Sequence, residues 1–427
     1  MGAGATFASS QIAPGLTLHL NSDARRKTNL VNIFWVGPLD SAVTARAVFP
    51  NCLMRGTQRF PSLKELTKET ERLFGVSIGT DTRKIGERHV IQFRLEFVND
   101  KFLPGSESVL AEAIQFFREL FTDPHLVDGR FDAEVTAQEK ETHRRLIEGL
   151  LNDKRSYAVQ RCIEETCSDE EFRRHEQGTV EDLERLTAAE LTDQWRQNLQ
   201  TAEMHVYFSG DLTLEESQDA LKPLLSVTDR TPVELPPLPA PKLATEPREV
   251  IERMSLQQAK LVLSYRTGVS FTDARVPGLV VGNGILGSFP HSKLFVNVRE
   301  GASLCYYAGS FLERTHGMMF ISSGIDQARY HEARDLIGVQ VSDVAAGNFS
   351  DEDLEATKLA LDGRLRMIED SPSTLMDIHL AWHVNGAEYD LKRYRDQLNA
   401  VTREDVIESF ANVRGDVVYL LAPEEEN

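Results

Sequence analysis

The sequence predicts an α+β protein made of two homologous halves, each a largely antiparallel sheet with helices packed on it. Three observations lead to that reading. A proline cluster, Pro232, Pro236, Pro237, Pro239, Pro241 and Pro247, lies midway along the 427 residues. A helix-then-strand segment near the end of each half recurs at an offset of 402 − 187 = 215 residues. Upstream of it, each half shows a helix, a hairpin and further helices in the same order.

Proline lacks a backbone donor and favours extended backbone, so the cluster reads as a tether. It divides the chain into a first half at 1–228, a linker at 229–249 and a second half at 250–427. In the first half, Ser62 and Glu65 form a capping box that opens a helix ending at Gly75. A strand at 76–83, a turn near Gly86 and a strand at 89–97 follow. In the second half a helix at 292–300 ends at Gly301, followed by strands at 303–312 and 318–324 around Gly317. The recurring closing segment starts at Thr187 with Glu190, carries Trp195 on its apolar side and runs into His205-Val206-Tyr207-Phe208. Its counterpart starts at Thr402 with Asp405, a weaker box because Asp is shorter, has Phe410 for the Trp and runs into Val417-Val418-Tyr419-Leu420-Leu421. A repeat this long is a duplicated domain rather than a solenoid.

Composition excludes several function classes. Net charge is 47 − 66 = −19, which disfavours nucleic acid as a partner. No run of five or six like charges occurs, so the charge reads as solvated helix faces. The four cysteines, Cys52, Cys162, Cys167 and Cys305, form no metal-finger spacing and read as reduced thiols of a cytoplasmic protein. No apolar stretch approaches membrane-span length, and no signal peptide is expected at the N-terminus. His379 and His383 stand i, i+4, without the intervening acid of a metalloprotease helix, and read as packing. His143 and His316 are lone histidines.

The stretch Ala47-Val48-Phe49-Pro50-Asn51-Cys52-Leu53-Met54-Arg55-Gly56-Thr57 resembles the zinc-binding segment of the pitrilysin/insulinase metallopeptidases, which carry an inverted H-x-x-E-H before a Gly-Thr pair. The resemblance extends through strands at 16–20 and 29–36, Gln257 to Tyr265, Ile285-Leu286-Gly287 and Ser292 to Phe295. It implies two halves facing each other as a clamshell around a peptide-binding chamber. In this register Ala47, Pro50 and Asn51 occupy the positions of His, Glu and His. None offers imidazole or carboxylate, so no metal is expected in this chain. The third ligand's position falls near Leu146, beside Arg145, with Glu148 close by as a solvated carboxylate.

The second half keeps an Arg and a Tyr seven residues apart, Arg299 and Tyr306, where the family holds a substrate backbone and donates toward an oxyanion. Arg299 would sit in the last turn of a helix, where a cation is favoured. Tyr306 would alternate with Leu304 and Ala308 on one strand face. Some members of the family work as two-chain enzymes, one chain carrying zinc and the other the Arg/Tyr pair, and this chain is similar to the second kind. The resemblance therefore implies a zinc-free subunit of a peptidase that cleaves peptides. Its partner would be a similar-length chain with H-x-x-E-H and the zinc, or a second copy when the chain is alone. The alternatives are a scaffold of the same fold with no role in proteolysis, and a peptidase with displaced ligands.

Overall fold

A computed structural model describes residues 6–104, 108–227, 229–244 and 246–424. The strands are β1 Ala8–Ala13, β2 Leu16–Ser22, β3 Thr28–Pro38, β4 Ser77–Ile85, β5 Arg88–Val98, β6 Glu203–Gly210, β7 Arg248–Met254, β8 Ala259–Arg266, β9 Cys305–Glu313, β10 Met318–Ile325 and β11 Arg414–Pro423. They form one sheet in the order β1-β2-β6-β3-β5-β4 and another in the order β7-β11-β8-β10-β9. Leaving out β1, the two orders correspond strand for strand. In each, the half's last strand lies parallel to its first, β6 to β2 and β11 to β7, and the other pairings are antiparallel. The duplication read from the sequence is therefore a duplication of topology, and the fold class is α+β as expected.

Local chemistry explains the element ends. Thr187 caps the helix Ala188–Thr201: its hydroxyl accepts from the Glu190 amide at 3.2 Å, and the Glu190 carboxylate accepts from the Thr187 amide at 2.8 Å. Thr402 and Asp405 at the helix Arg403–Phe410 repeat those bonds at 3.2 and 2.8 Å. The shorter aspartate thus makes a complete box, not the weaker one expected. The helix Leu63–Arg72 is capped by Ser62, and the backbone leaves it through positive φ at Phe74 and Gly75. The proline segment is not a free tether. Up to Pro236 it belongs to one compact unit and from Pro237 to the other. At Gly15 and Gly317, both at φ +62°, an added Cβ would lie 2.5 Å from Pro232 and 2.7 Å from Pro241, so only glycine lets these prolines lie flat on each unit.

The compact units are discontinuous in sequence, unlike a simple division at the linker. Unit 1 comprises Met1–Glu148, Arg174–Pro236 and Glu369–Ile378; unit 2 comprises Gly149–Arg173, Pro237–Ile368 and His379–Asn427. Each half thus lends a helical segment to the other unit, and the loan is itself part of the repeat. The helices Ala133–Asn152 and Lys154–Thr166, 20 and 13 residues long, correspond to Asp351–Glu369 and Pro372–Val384, 19 and 13 residues long. Sequence periodicity cannot show this, because it reports which face of a helix is apolar and not which sheet receives it.

In unit 1 the core lies between the sheet and its helices. Trp35 meets Phe93 edge-on at 4.9 Å, and the Trp195 indole donates to the Phe121 carbonyl at 2.9 Å. In unit 2 the lent helix Lys154–Thr166 buries Ala158, Cys162 and Ile163 against Val262, Phe320 and Tyr419 of the sheet. Three polar ties fix its position. The Tyr157 hydroxyl and the Arg161 guanidinium donate to the Glu252 carboxylate at 2.5 and 3.1 Å. The Thr166 hydroxyl donates to Ser264 at 2.8 Å. Just beyond the helix, Glu170 accepts from Arg266 at 2.7 Å, and the same guanidinium reaches Asp416 at 2.8 Å and the Thr166 carbonyl at 2.8 Å. Arg266 is 3% exposed. Burial pulls its pKa down, but the bonds to Glu170 and Asp416 outweigh burial and raise it above the ordinary arginine value.

Removing the Glu170 charge leaves the buried Arg266 with Asp416 alone and weakens a charge-assisted hydrogen bond, which typically costs about 1–3 kcal/mol. Glu170→Gln is predicted to destabilise the chain by about that amount in urea unfolding followed by circular dichroism. A loss below about 0.5 kcal/mol would mean that packing alone holds the lent segment.

Candidate functional site

The degenerate zinc segment forms the helix Val43–Leu53, and Pro50 lies inside it. The proline removes one backbone donor, yet the helix continues because Ala45, Val48, Phe49, Cys52 and Leu53 are buried in the unit 1 core. Ala47 is 2% exposed, Pro50 is buried, and the half-buried Asn51 amide turns back to the Ala47 carbonyl at 3.4 Å. A methyl, a pyrrolidine ring and a backbone-bonded amide supply neither the ligands nor the base that zinc-dependent hydrolysis needs. Next to Ala47, Arg46 is 4% exposed, donates to the Pro38 carbonyl at 2.7 Å and pairs with Asp40. Burial brings its pKa down to about 10.

The helix Ala133–Asn152 supplies no ligand in their place. Leu146 is 49% exposed, and Arg145 pairs with Glu141 at 2.9 Å. The buried carboxylate on this helix is Glu139, seven residues before Leu146, and it is held by Arg55 from the end of the degenerate segment. The residues expected from the resemblance therefore do not fit zinc.

His143, His316 and His379 are buried. The Nε2 of His143 donates to the Gln177 carbonyl at 2.8 Å, and burial lowers the pKa of that ring. His316, a lone histidine by spacing, meets Glu313 at 3.2 Å. His379 packs on Tyr389 at 4.8 Å, whereas His383 is exposed. Cys52, Cys162 and Cys167 are buried and Cys305 is half-buried. Burial pushes Cys52 and Cys162 up to about 12, so neither is a ready nucleophile.

Arg299 and Tyr306 both lie in unit 2, on consecutive elements. Arg299 is carried by a π-helix, Leu294–Gly301, rather than by the α-helix expected. Its wider turn shows in the bond from the Ala302 amide to the Asn297 carbonyl, five residues back, at 3.0 Å. Such stretches are rare and concentrate at functional sites. Leu294 and Val298 face the core at 0% exposure, which turns Arg299 outward. The guanidinium stacks on Phe295 at 4.5 Å and meets Glu300 at 3.6 Å.

The backbone then passes through positive φ at Ser303, a non-glycine residue at φ 50°, before entering β9. In the ladder with β10, Tyr307 faces Gly324 and Cys305 faces Ile325, so Tyr306 is the extra residue of a β-bulge. The expected alternation with Leu304 and Ala308 is broken there. Leu304 is 2% exposed and Tyr306 is 77% exposed. A bulge re-aims a side chain, and no spacing rule in a sequence reveals one. What could have hinted at it is the run Cys305-Tyr306-Tyr307, two adjacent aromatics where a half-buried strand would alternate.

The profile describing the peptidase M16 inactive domain matches residues 185–361. The chain is also 32% identical over 408 residues to the "Probable inactive metalloprotease YmfF" of Bacillus subtilis (strain 168), covering 95% of this chain and 96% of the relative. The chain belongs to the M16 metallopeptidase family. This is the pitrilysin/insulinase group that the Ala47–Thr57 stretch resembles. Among solved structures, a conserved protein from Enterococcus faecalis V583 superposes with a TM-score of 0.92 at 27% identity, covering 99% and 100% of the two chains. A protease from Helicobacter pylori shares the fold at a TM-score of 0.82 and 13% identity, covering 98% and 99%. Among the described residues, no helix is long and apolar enough to cross a membrane.

Zinc added to metal-stripped protein is predicted to leave peptide hydrolysis by the isolated chain at background, as read with a quenched fluorescent peptide library. Chelator-sensitive cleavage that tracks with the pure chain through successive columns would contradict the reading of Ala47, Pro50 and Asn51.

Proposed function

We propose that this M16 chain is the zinc-free subunit of a two-chain peptidase, and that it supplies Arg299 and Tyr306 to peptides cleaved at a zinc site on the partner. The observation that carries the proposal is the placement of Tyr306. A phenol that served only packing would be buried, yet this one is exposed on a bulge that follows a π-helix bearing a stacked, outward arginine. Two uncommon backbone devices in succession, with a strained residue between them, cost stability and are kept where geometry matters.

The two side chains have complementary chemistry. The guanidinium offers several donors in a fixed fork and suits a peptide carbonyl or a carboxylate. The phenol is a single donor that can be aimed at a developing oxyanion, and such a donor is worth more in the transition state than in the ground state. Zinc in the partner would supply the activated water, and this chain would orient the peptide. The partner is expected to be of similar length and to carry H-x-x-E-H. The inactive description attached to the Bacillus relative supports a chain that does not cleave alone.

Tyr306→Phe keeps the ring and removes the donor. In the reconstituted two-chain enzyme it is predicted to lower kcat by about 100- to 1000-fold. The melting temperature should be unchanged, since the hydroxyl is solvated. Near-normal turnover with unchanged melting would replace this proposal with a scaffold role.

A further inference from the structure

A cavity of about 550 Å³ opens within unit 2, beside the strand that carries Tyr306 but lined by different residues. Its size falls in the range of small-ligand sites. Three arginines line it: Arg155 from the lent helix Lys154–Thr166, Arg314 from the turn after β9, and Arg364 from the helix Asp351–Glu369. No acidic side chain is among the described residues that line it.

Each guanidinium lies against an aromatic ring, and none makes an ion pair among the described residues. Arg155 lies 4.3 Å from the Tyr307 ring, Arg314 4.4 Å from Phe271 and Arg364 4.2 Å from Phe289. Arg314 donates to the Tyr394 hydroxyl at 3.3 Å and Arg364 to the Ser288 carbonyl at 3.1 Å, bonds that engage only part of each fork. The carboxylate nearest in sequence to Arg155, Asp153, is engaged in capping its helix, where it accepts from the Arg155 and Ser156 amides and the Ser156 hydroxyl. In a chain of net charge −19, this is a concentrated positive site.

A second observation points to a missing ligand. The Ser322 side chain lines the cavity in a residue 3% exposed, and its hydroxyl makes no well-formed hydrogen bond; the Tyr307 hydroxyl is the polar group beside it. Asn283, 7% exposed, also lines the cavity, and its side-chain nitrogen donates to Ser288 at 2.8 Å. A buried hydroxyl without a well-formed bond is costly, so Ser322 marks where an acceptor belongs. The wall between Ser322 and Asn283 is backbone. At Gly287 an added Cβ would lie 2.6 Å from the Ser310 amide nitrogen, which keeps side chains out of the floor.

We infer that this cavity binds a small multivalent oxyanion bearing phosphate or carboxylate groups. Guanidinium forks match both geometries and Ser322 supplies a buried donor. The site is independent of peptide cleavage, because neither Arg299 nor Tyr306 lines it.

Calorimetric titration of the full chain with tripolyphosphate, and separately with citrate, tests the inference. Saturable binding tighter than about 1 mM is expected for at least one of them. Tighter tripolyphosphate would assign a phosphate ligand, and tighter citrate a carboxylate. The double variant Arg155→Gln/Arg364→Gln alters two exposed side chains and should melt as the parent does, while binding about 10- to 100-fold more weakly per arginine removed. Arg185→Gln in unit 1 removes the same charge elsewhere and should bind normally. Absence of saturable binding to both anions, or an equal loss in Arg185→Gln, would overturn the inference.

Discussion

The buried guanidinium of Arg266 is the constraint on which unit 2 depends. It stands near the end of β8 and joins Glu170 of the lent segment to Asp416 of β11, so that a stretch from the first half and two strands from the second share one charge network. In water such a network would be weak, but at 3% exposure each charge needs the other two. The consequence reaches the candidate site through the ladder. Arg266 of β8 faces Met318 of β10, and β10 carries β9 on its other edge, where the bulge presents Tyr306. The same lent segment brings Arg155 to the arginine-lined cavity. The arginine-lined cavity of unit 2 thus takes one wall from a helix of the other half of the sequence.

The zinc segment shows how chemistry can be lost while a fold is kept. Five residues of the helix Val43–Leu53 pack in the unit 1 core, and they are untouched by the changes at 47, 50 and 51. Ala47 and Pro50 are themselves buried, so the surfaces that would hold a metal have become ordinary packing. Arg55 and Glu139 still join this segment to the helix Ala133–Asn152, which leaves a structural tie where a ligand cage would be. Pro50 costs a helix hydrogen bond, a loss that tertiary packing offsets.

Much of the fold was legible in the sequence because its signals are local. The capping boxes at Thr187 and Thr402, the helix end at Gly75 and the hairpin turn at Gly317 each follow from residues a few positions apart. The repeat was legible because the two halves use these signals in the same order. What the sequence hid is set by distant contacts. The lent helices depend on which sheet offers the complementary surface, as Cys162 and Val262 show. The π-helix under Arg299 and the bulge at Tyr306 are backbone features that residue spacing does not report. The pair was therefore named by the family resemblance, while its outward presentation came only from the structure. The arginine cavity was invisible for the same reason, since Arg155, Arg314 and Arg364 are spread over 209 positions (364 − 155).

The central claim is that Tyr306 touches the peptide that a zinc-bearing partner cleaves. A photoreactive phenylalanine analogue placed at position 306 tests this directly in the two-chain assembly supplied with a labelled, non-cleavable peptide. The account predicts light-dependent transfer of the label to this chain, competed by unlabelled peptide, and no transfer when the analogue stands at the exposed Leu359 on the helix Asp351–Glu369. Equal labelling from both positions, or none from 306 while the assembly binds peptide, would contradict it.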